Sequence, residues 1–173
     1  MWIFMISCYL LTGCSLLLFI LTGTQGYFQF SVYGLSHPSL ALLTASIYLF
    51  TETLIIFFFV GAGADIKQYM AEGLAEETDY NQSILIKKKL YPPTMLNILL
   101  VITVFVLGGA VDTNVLPHWI HGILFFLTLV HFLKMIKTQN ACFRETVNIR
   151  TKIAEKGNAG NQTQSLWIIF LSP

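Results

Sequence analysis

All ten lysines and arginines lie in two stretches of this 173-residue chain, and long apolar runs fill most of the remainder. The first stretch, between Gly61 and Pro92, holds four of them, and the second begins at Lys134 and holds six. The ten are Lys67, Lys87, Lys88, Lys89, Lys134, Lys137, Arg144, Arg150, Lys152 and Lys156. Cations gathered in this way between apolar segments are typical of an integral membrane protein whose basic segments share one side of the bilayer.

Composition supports the same conclusion. Only 11% of the residues are charged, whereas a soluble domain carries roughly 25%. The net charge of +1 provides no basic surface for nucleic acid, so we expect no nucleic-acid partner. The three cysteines show no zinc or CxxC spacing, and they predict neither a zinc site nor a disulfide framework.

Four apolar segments are long enough to cross a bilayer, which takes about 20 helical residues. The predicted spans are about 2–22, 38–60, 93–110 and 117–136. Pro38 and Pro117 stand at plausible first helical positions, and Pro92-Pro93 opens the third span in the same way. Gly108-Gly109 is expected to end that span. We therefore predict an all-α fold, an integral membrane four-helix bundle.

The positive-inside bias then assigns the sides of the bilayer. Loop 61–92 and the segment from Lys134 onward are predicted to be cytoplasmic, which places both termini inside. The loop is expected to contain short amphipathic helices near 65–77 and 81–90. The fourth helix is expected to continue as a cytoplasmic extension over 137–156. These parts make up a membrane domain, 1–156, followed by a flexible tail, 157–173.

An alternative remains for the first span. The segment Leu11–Cys14 resembles a bacterial lipoprotein cleavage box, but no positive residues precede it and apolar residues continue past Cys14. A secretory signal normally has both a charged start and a short apolar core. Cleavage would remove one span and leave the sidedness of the others unchanged.

Two ionisable residues lie inside predicted spans. Glu52 lies fourteen residues past Pro38, and His131 lies fourteen residues past Pro117, so each sits about 21 Å into its helix. Matching depth predicts a hydrogen bond or ion pair between them. Such a pair serves either to hold two helices together or to carry protons or substrate, since intramembrane ionisable groups are functional candidates.

Further polar side chains accompany this pair. Tyr48 and Thr51 lie close to Glu52 on the second span. They form a polar stripe along this helix toward its extracytoplasmic end. A stripe of this kind either lines a water path or satisfies its hydroxyls on its own helix and its neighbours.

The remaining histidines cluster at the predicted extracytoplasmic boundary. His37 precedes the second span, and His118 and His121 begin the fourth span three residues apart, on one helix face. The three are candidates for binding a transition metal, or haem b through His37 and His121. The alternative is that they simply sit among the lipid head groups, as Trp119 beside them would.

Four segments of the chain carry a family resemblance. They are His37 before the second span, FFFVGAGADIK at 57–67, YPP at 91–93 and GGAVDTNVLPHWIH at 108–121. The stretch from His37 to about Lys156 resembles a loose group of small bacterial multi-span proteins. The resemblance implies a bacterial inner-membrane location, and it assigns no catalytic residue.

Two classes of function follow. The first is a non-enzymatic membrane component that contacts the lipid bilayer, other membrane subunits or a second copy of itself; its cofactor is left open, with haem b and a transition metal as the candidates. The second is a redox or proton-handling subunit in which Glu52 and His131 relay protons, with a quinone as a candidate ligand at the bundle. A transporter is less favoured, because four spans are few and the two halves show no evident repeat.

Overall fold

Helix dominates the protein, as its composition predicts. The computed structural model describes the backbone of residues 2–32 and 34–171 and the side chains of residues 3–32 and 34–157. The helices are α1 (Trp2–Phe28), α2 (His37–Ala71), α3 (Glu77–Asp112) and α4 (His118–Leu171). Each contains a segment long and apolar enough to cross a membrane, so the predicted four-helix membrane bundle is confirmed.

Successive helices run in opposite directions. Thr22 of α1 hydrogen-bonds Thr44 of α2, while Phe4 stacks on Phe58, so α1 and α2 are antiparallel. The connections 29–36 and 113–117 therefore meet at one end of the bundle, here named the histidine end. The start of α1, the turn 72–76 and the far half of α4 lie at the other, here named the basic end.

The outside of the bundle is apolar, and polar side chains lie within a core of apolar ones. Tyr48, Glu52 and Asn97 are 0% exposed, whereas Ile3 and Phe126 are 82% and 63% exposed. A water-soluble bundle instead places polar residues on its outside, because burial of apolar surface drives its folding. Exposed aliphatic and aromatic surface on this scale is suited to lipid.

The phenylalanine run in α2 shows the same sorting over three residues. Phe57 is 63% exposed, while Phe58 and Phe59 are 6% and 2% exposed. Successive helical residues point about 100° apart, so three consecutive rings cannot share one face. One ring faces lipid and two pack in the core.

The helices are longer than the bilayer requires. The 35 residues of α2 and 36 residues of α3 extend about 52 and 54 Å, against a hydrocarbon core of about 30 Å. Both helices, together with α4, therefore continue past the membrane at the basic end. The expected amphipathic segments are not separate helices: 65–71 is the last part of α2, and 77–90 is the first part of α3.

Three predicted helix boundaries are wrong. Pro92-Pro93 lies inside α3 instead of opening it, Gly108-Gly109 lies before the end of α3, and α4 continues through Gly157 to Leu171. Local breakers weaken a helix, but packing of α3 against its neighbours outweighs that weakness at Pro92-Pro93 and Gly108-Gly109. The predicted flexibility of 157–173 stays a prediction, and the side chains from residue 158 onward lie outside the described residues.

Four ion pairs join the helices at the basic end. Three of them tie α4 to α3 or α2: Lys89 to Glu145 at 2.9 Å, Arg150 to Asp65 at 2.7 Å and Lys152 to Asp79 at 2.8 Å. The fourth joins Lys156 to Glu76 in the turn before α3. Carboxylates and cations that are neighbours here are far apart in the sequence, so these pairs fix the register of the extension.

Asp79 is the most enclosed of these charged groups, with only 2% of its side chain exposed. It accepts hydrogen bonds from Lys152 and from the backbone N–H of Glu76. Burial by itself would raise the pKa of Asp79, but the Lys152 hydrogen bond and the Glu76 N–H outweigh burial and lower the pKa. The carboxylate therefore caps α3 and holds α4 at the same time.

This double role predicts that two neighbouring acidic residues in the first turn of α3 contribute unequally to the stability of the protein. Asp79→Ala should lower the free energy of unfolding by about 1–3 kcal/mol, because it removes a cap and leaves Lys152 without its partner. Glu77→Ala, an exposed position two residues away, is the matched control and should change it by less than about 0.5 kcal/mol. Unfolding in mixed detergent micelles measures both, and equal effects would contradict the assignment.

Candidate functional site

Polar side chains tie every neighbouring pair of helices together. Ser15 and Thr51 join α1 to α2 at 3.1 Å. Tyr9 donates to Asn140 at 3.0 Å and so joins α1 to α4. Without water in the bilayer core, each such group must find its partner on another helix or on its own backbone.

Glu52 forms a diagonal tie between α2 and α4. Gln139 donates from Nε2 to Glu52 Oε2 at 2.7 Å. The second oxygen, Oε1, is buried and has no hydrogen-bond partner among the described side chains. An ionised carboxylate with a single hydrogen bond is strongly unfavourable in such surroundings. The arrangement suits a neutral acid.

Aromatic rings close the space on both sides of Glu52. Toward the basic end, the rings of Phe59 and Phe143 pack with their centroids 5.0 Å apart. Tyr48 and Phe132 meet edge to face at 5.2 Å toward the histidine end. Glu52 is 0% exposed between these layers, so the described core has no open path from the carboxyl group to either surface.

His131 belongs to a second network. Asn97 of α3 donates from Nδ2 to the Tyr48 hydroxyl at 2.8 Å, and its Oδ1 lies 2.8 Å from His131 Nδ1. With the amide in this orientation, His131 carries hydrogen on Nδ1 and donates it to Asn97. One amide therefore links α2, α3 and α4.

The expected Glu52–His131 contact is not formed among the described residues. Glu52 lies opposite Gln139, eight residues beyond His131, a separation of about 12 Å along the helix. Depth matching assumed that Pro38 and Pro117 lie at the same level. The observed register shows that α4 begins about two turns further toward the histidine end than α2. At this separation Glu52 and His131 do not exchange a proton directly.

A cavity of about 480 Å³ opens at the histidine end between α2 and α3. These two helices are joined only at the basic end, by the turn 72–76, so no connection closes the space between them here. Small residues, including Ala41, Ala45 and Gly109, line the space and keep it open. Leu42 and Phe105 line it as well and are 55% and 39% exposed, which places the opening on the lipid-facing side.

Two of the predicted histidines line this cavity. His37 packs against Gly26 so closely that a Cβ atom added to this glycine would lie only 2.8 Å from His37 Cε1. His121 packs against Gly108, where a Cβ would lie 3.2 Å from His121 Cε1. Because Gly26 and Gly108 have no side chains, both imidazole rings pack directly against the backbone. Nδ1 of each imidazole is buried and lacks a hydrogen-bond partner among the described residues.

His118 does not join the other two. It is exposed on α4 and does not line the cavity. Asp112, near the end of α3, lines it instead. The side chains described between residues 3 and 157 contain no group of three or more His, Cys, Asp or Glu positioned for a metal ion. The cavity therefore presents two imidazoles and one carboxylate on a mainly apolar wall.

Sequence reasoning missed two of the central residues. Asn97 is a lone amide within the apolar third span, a signal that could have identified it. Gln139 follows Lys137 and was assigned to the cytoplasmic extension, although it pairs with a buried residue of α2. Apolar pattern alone could not reveal that this part of α4 is level with the core.

The chain matches no family model, no curated protein and no solved structure.

The surroundings of Glu52 predict that it holds its proton. Glu52→Gln keeps the shape and should change the free energy of unfolding by less than about 1 kcal/mol, whereas Glu52→Ala leaves a void and should lower it by about 2–4 kcal/mol. Infrared spectra should show a protonated carboxyl C=O band that Glu52→Gln removes and the control Asp112→Asn retains. A wild-type spectrum without that band would mean an ionised Glu52.

Proposed function

We propose that this protein is a membrane component that binds a lipid-soluble molecule with a hydrogen-bonding head group in the cavity at the histidine end. The observation that carries the proposal is a mainly apolar cavity, open between two lipid-facing helices, that contains two imidazoles with unpartnered Nδ1 atoms. A well-formed apolar pocket with a few convergent polar groups is the usual character of a ligand site.

The shape of the cavity favours a ligand that enters from the bilayer. Its opening lies between α2 and α3, beside the exposed side chains of Leu42 and Phe105. A water-soluble ligand would have to cross these apolar residues, whereas an apolar tail can remain among them. The volume of about 480 Å³ falls within the range of roughly 300–1,000 Å³ typical of small-molecule sites.

The polar groups favour a ring with oxygen atoms, as in a quinone or quinol. A neutral imidazole offers one donor and one acceptor nitrogen, so His37 and His121 can each donate to a carbonyl or accept from a hydroxyl. Asp112 adds an acceptor. Quinones are also soluble in lipid, which agrees with the position of the opening.

Haem b is a second candidate, favoured by one observation. His37 on α2 and His121 on α4 line the same cavity from different helices, as axial ligands of a haem within a helical bundle do. A visible spectrum of the purified protein separates the two candidates, because haem gives a Soret band and a quinone does not.

The location of the protein also belongs to this proposal. The clustering of cations at the basic end supports a cytoplasmic position for both termini. The resemblance of 37–156 to small bacterial multi-span proteins supports a bacterial inner membrane. The histidine end, with the cavity, would then face the extracytoplasmic side.

Ligand binding is tested with a decyl-substituted benzoquinone in equilibrium dialysis of the detergent-purified protein. Wild type should bind one molecule per chain. Ala41→Phe should abolish binding because the ring fills the cavity, whereas Ala64→Phe, at an exposed position on the same helix, should bind as wild type does. His37→Ala and His121→Ala should each weaken binding about threefold to tenfold through loss of one hydrogen bond. Absence of binding by wild type would refute the proposal.

The sidedness is tested by labelling single cysteines in intact cells. A cysteine at Thr113, in the connection between α3 and α4, should react with a membrane-impermeant maleimide from outside. A cysteine at Glu72, in the turn between α2 and α3, should react only after the membrane is opened. The reverse pattern, or equal reactivity at both sites, would overturn the assigned orientation.

A further inference from the structure

The cations of this chain fall into two groups that differ in their partners. Lys89, Arg150, Lys152 and Lys156 each pair with a carboxylate. None of the ion pairs among the described side chains includes the other six, three of which lie on α4. These three are Lys134, Lys137 and Arg144.

The three unpaired cations of α4 form one stripe. Their spacings of three and seven residues place them on the same helix face, and all three are exposed. Toward the histidine end the stripe continues as Ile123, Phe126 and Leu127, which are 55%, 63% and 56% exposed. Between residues 123 and 144, one face of α4 is therefore apolar toward the histidine end and cationic toward the basic end.

The cationic part lies unusually deep, as judged against α1. Phe19 of α1 packs against Phe132, and Tyr9 bonds Asn140, so Lys134 and Lys137 lie level with the middle of an apolar span. Phe58 contacts both Phe4 and Phe143, which puts Arg144 level with the first turns of α1.

An anion at the membrane surface would stabilise cations at this depth. A charged side chain near the middle of a span costs about 2.5–3.5 kcal/mol on insertion scales unless it reaches water or a partner. No carboxylate occurs between residues 113 and 144 of the sequence, and the one that follows, Glu145, is bonded to Lys89. The lipid itself contains the missing charge, in the phosphate of an anionic head group.

We propose that this stripe of α4 binds an anionic phospholipid, with the phosphate held by Lys134, Lys137 and Arg144 and an acyl chain lying along Ile123, Phe126 and Leu127. The long side chains of lysine and arginine extend toward the phosphate level while their stems stay in apolar surroundings. The site is separate from the cavity, which lies between α2 and α3, and it does not depend on the ligand proposed there.

Native mass spectrometry of the full-length protein measures this preference directly. The probes are phosphatidylglycerol and phosphatidylcholine with identical acyl chains. Wild type should bind phosphatidylglycerol at least about tenfold more tightly, and each cation changed to glutamine should reduce that affinity about fivefold. Binding of phosphatidylcholine should not change in any variant.

Three controls make the test specific. The charge-retaining variant Lys134→Arg, Lys137→Arg, Arg144→Lys should keep the preference. Lys67→Gln with Lys88→Gln, which removes exposed unpaired cations from α2 and α3, should keep it as well. Raised ionic strength should weaken the preference of wild type, since salt screens exposed charges; this measurement needs no variant and so applies even if a variant does not fold.

Several results would overturn the proposal. Equal affinity of wild type for the two lipids would show that the stripe does not select charge. A glutamine triple variant that keeps the preference, or a Lys67/Lys88 variant that loses it equally, would show that the stripe is not the site. Inorganic phosphate that displaces the lipid at millimolar concentration would show a free-anion site instead.

Discussion

The lack of solvent in the hydrocarbon core of a bilayer is the constraint on which this structure depends. In the bilayer core a polar side chain has no solvent to bond, so it must pair with another helix or with its own backbone. Glu52 with Gln139 and Tyr48 with Asn97 and His131 are consequences of this requirement. Each hydrogen bond contributes only about 0.6–2 kcal/mol, but each can form in one register alone. Together they specify how four otherwise apolar helices align.

Beyond the membrane, ion pairs take over the same task. The extensions of α2, α3 and α4 meet water, where carboxylates and cations are readily solvated. There the pairs Arg150 with Asp65 and Lys152 with Asp79 set the alignment that hydrogen bonds set within the bundle. The change from amide and hydroxyl partners to charged partners follows the change in solvent. Among the described side chains, the cationic stripe of α4 departs from this scheme, because its charges lie at membrane depth and belong to none of the four ion pairs.

The topology also explains where a ligand can enter. Antiparallel helices joined in sequence leave α2 and α3 unconnected at the histidine end, where the cavity lies. Small residues keep that cavity open, and two glycines seat His37 and His121 against backbone. The cavity is thus a result of connectivity combined with side-chain size. Its two imidazoles contribute the polar contacts that a purely apolar gap would lack, which is why the proposed ligand is lipid-soluble and yet has hydrogen-bonding oxygens.

Hydropathy and charge alone determined that this chain is a helical bundle that crosses the membrane four times, because those properties depend on transfer of residues between water and lipid. They also identified Glu52, Tyr48, Thr51 and His131 as candidate polar residues within the spans. Partners were decided only by tertiary structure. Rotation and register between helices bring Glu52 to Gln139 and His131 to Asn97, separate His118 from His37 and His121, and carry α3 without a break through Pro92-Pro93. These outcomes depend on how side chains of neighbouring helices pack together. The local sequence pattern does not determine that packing.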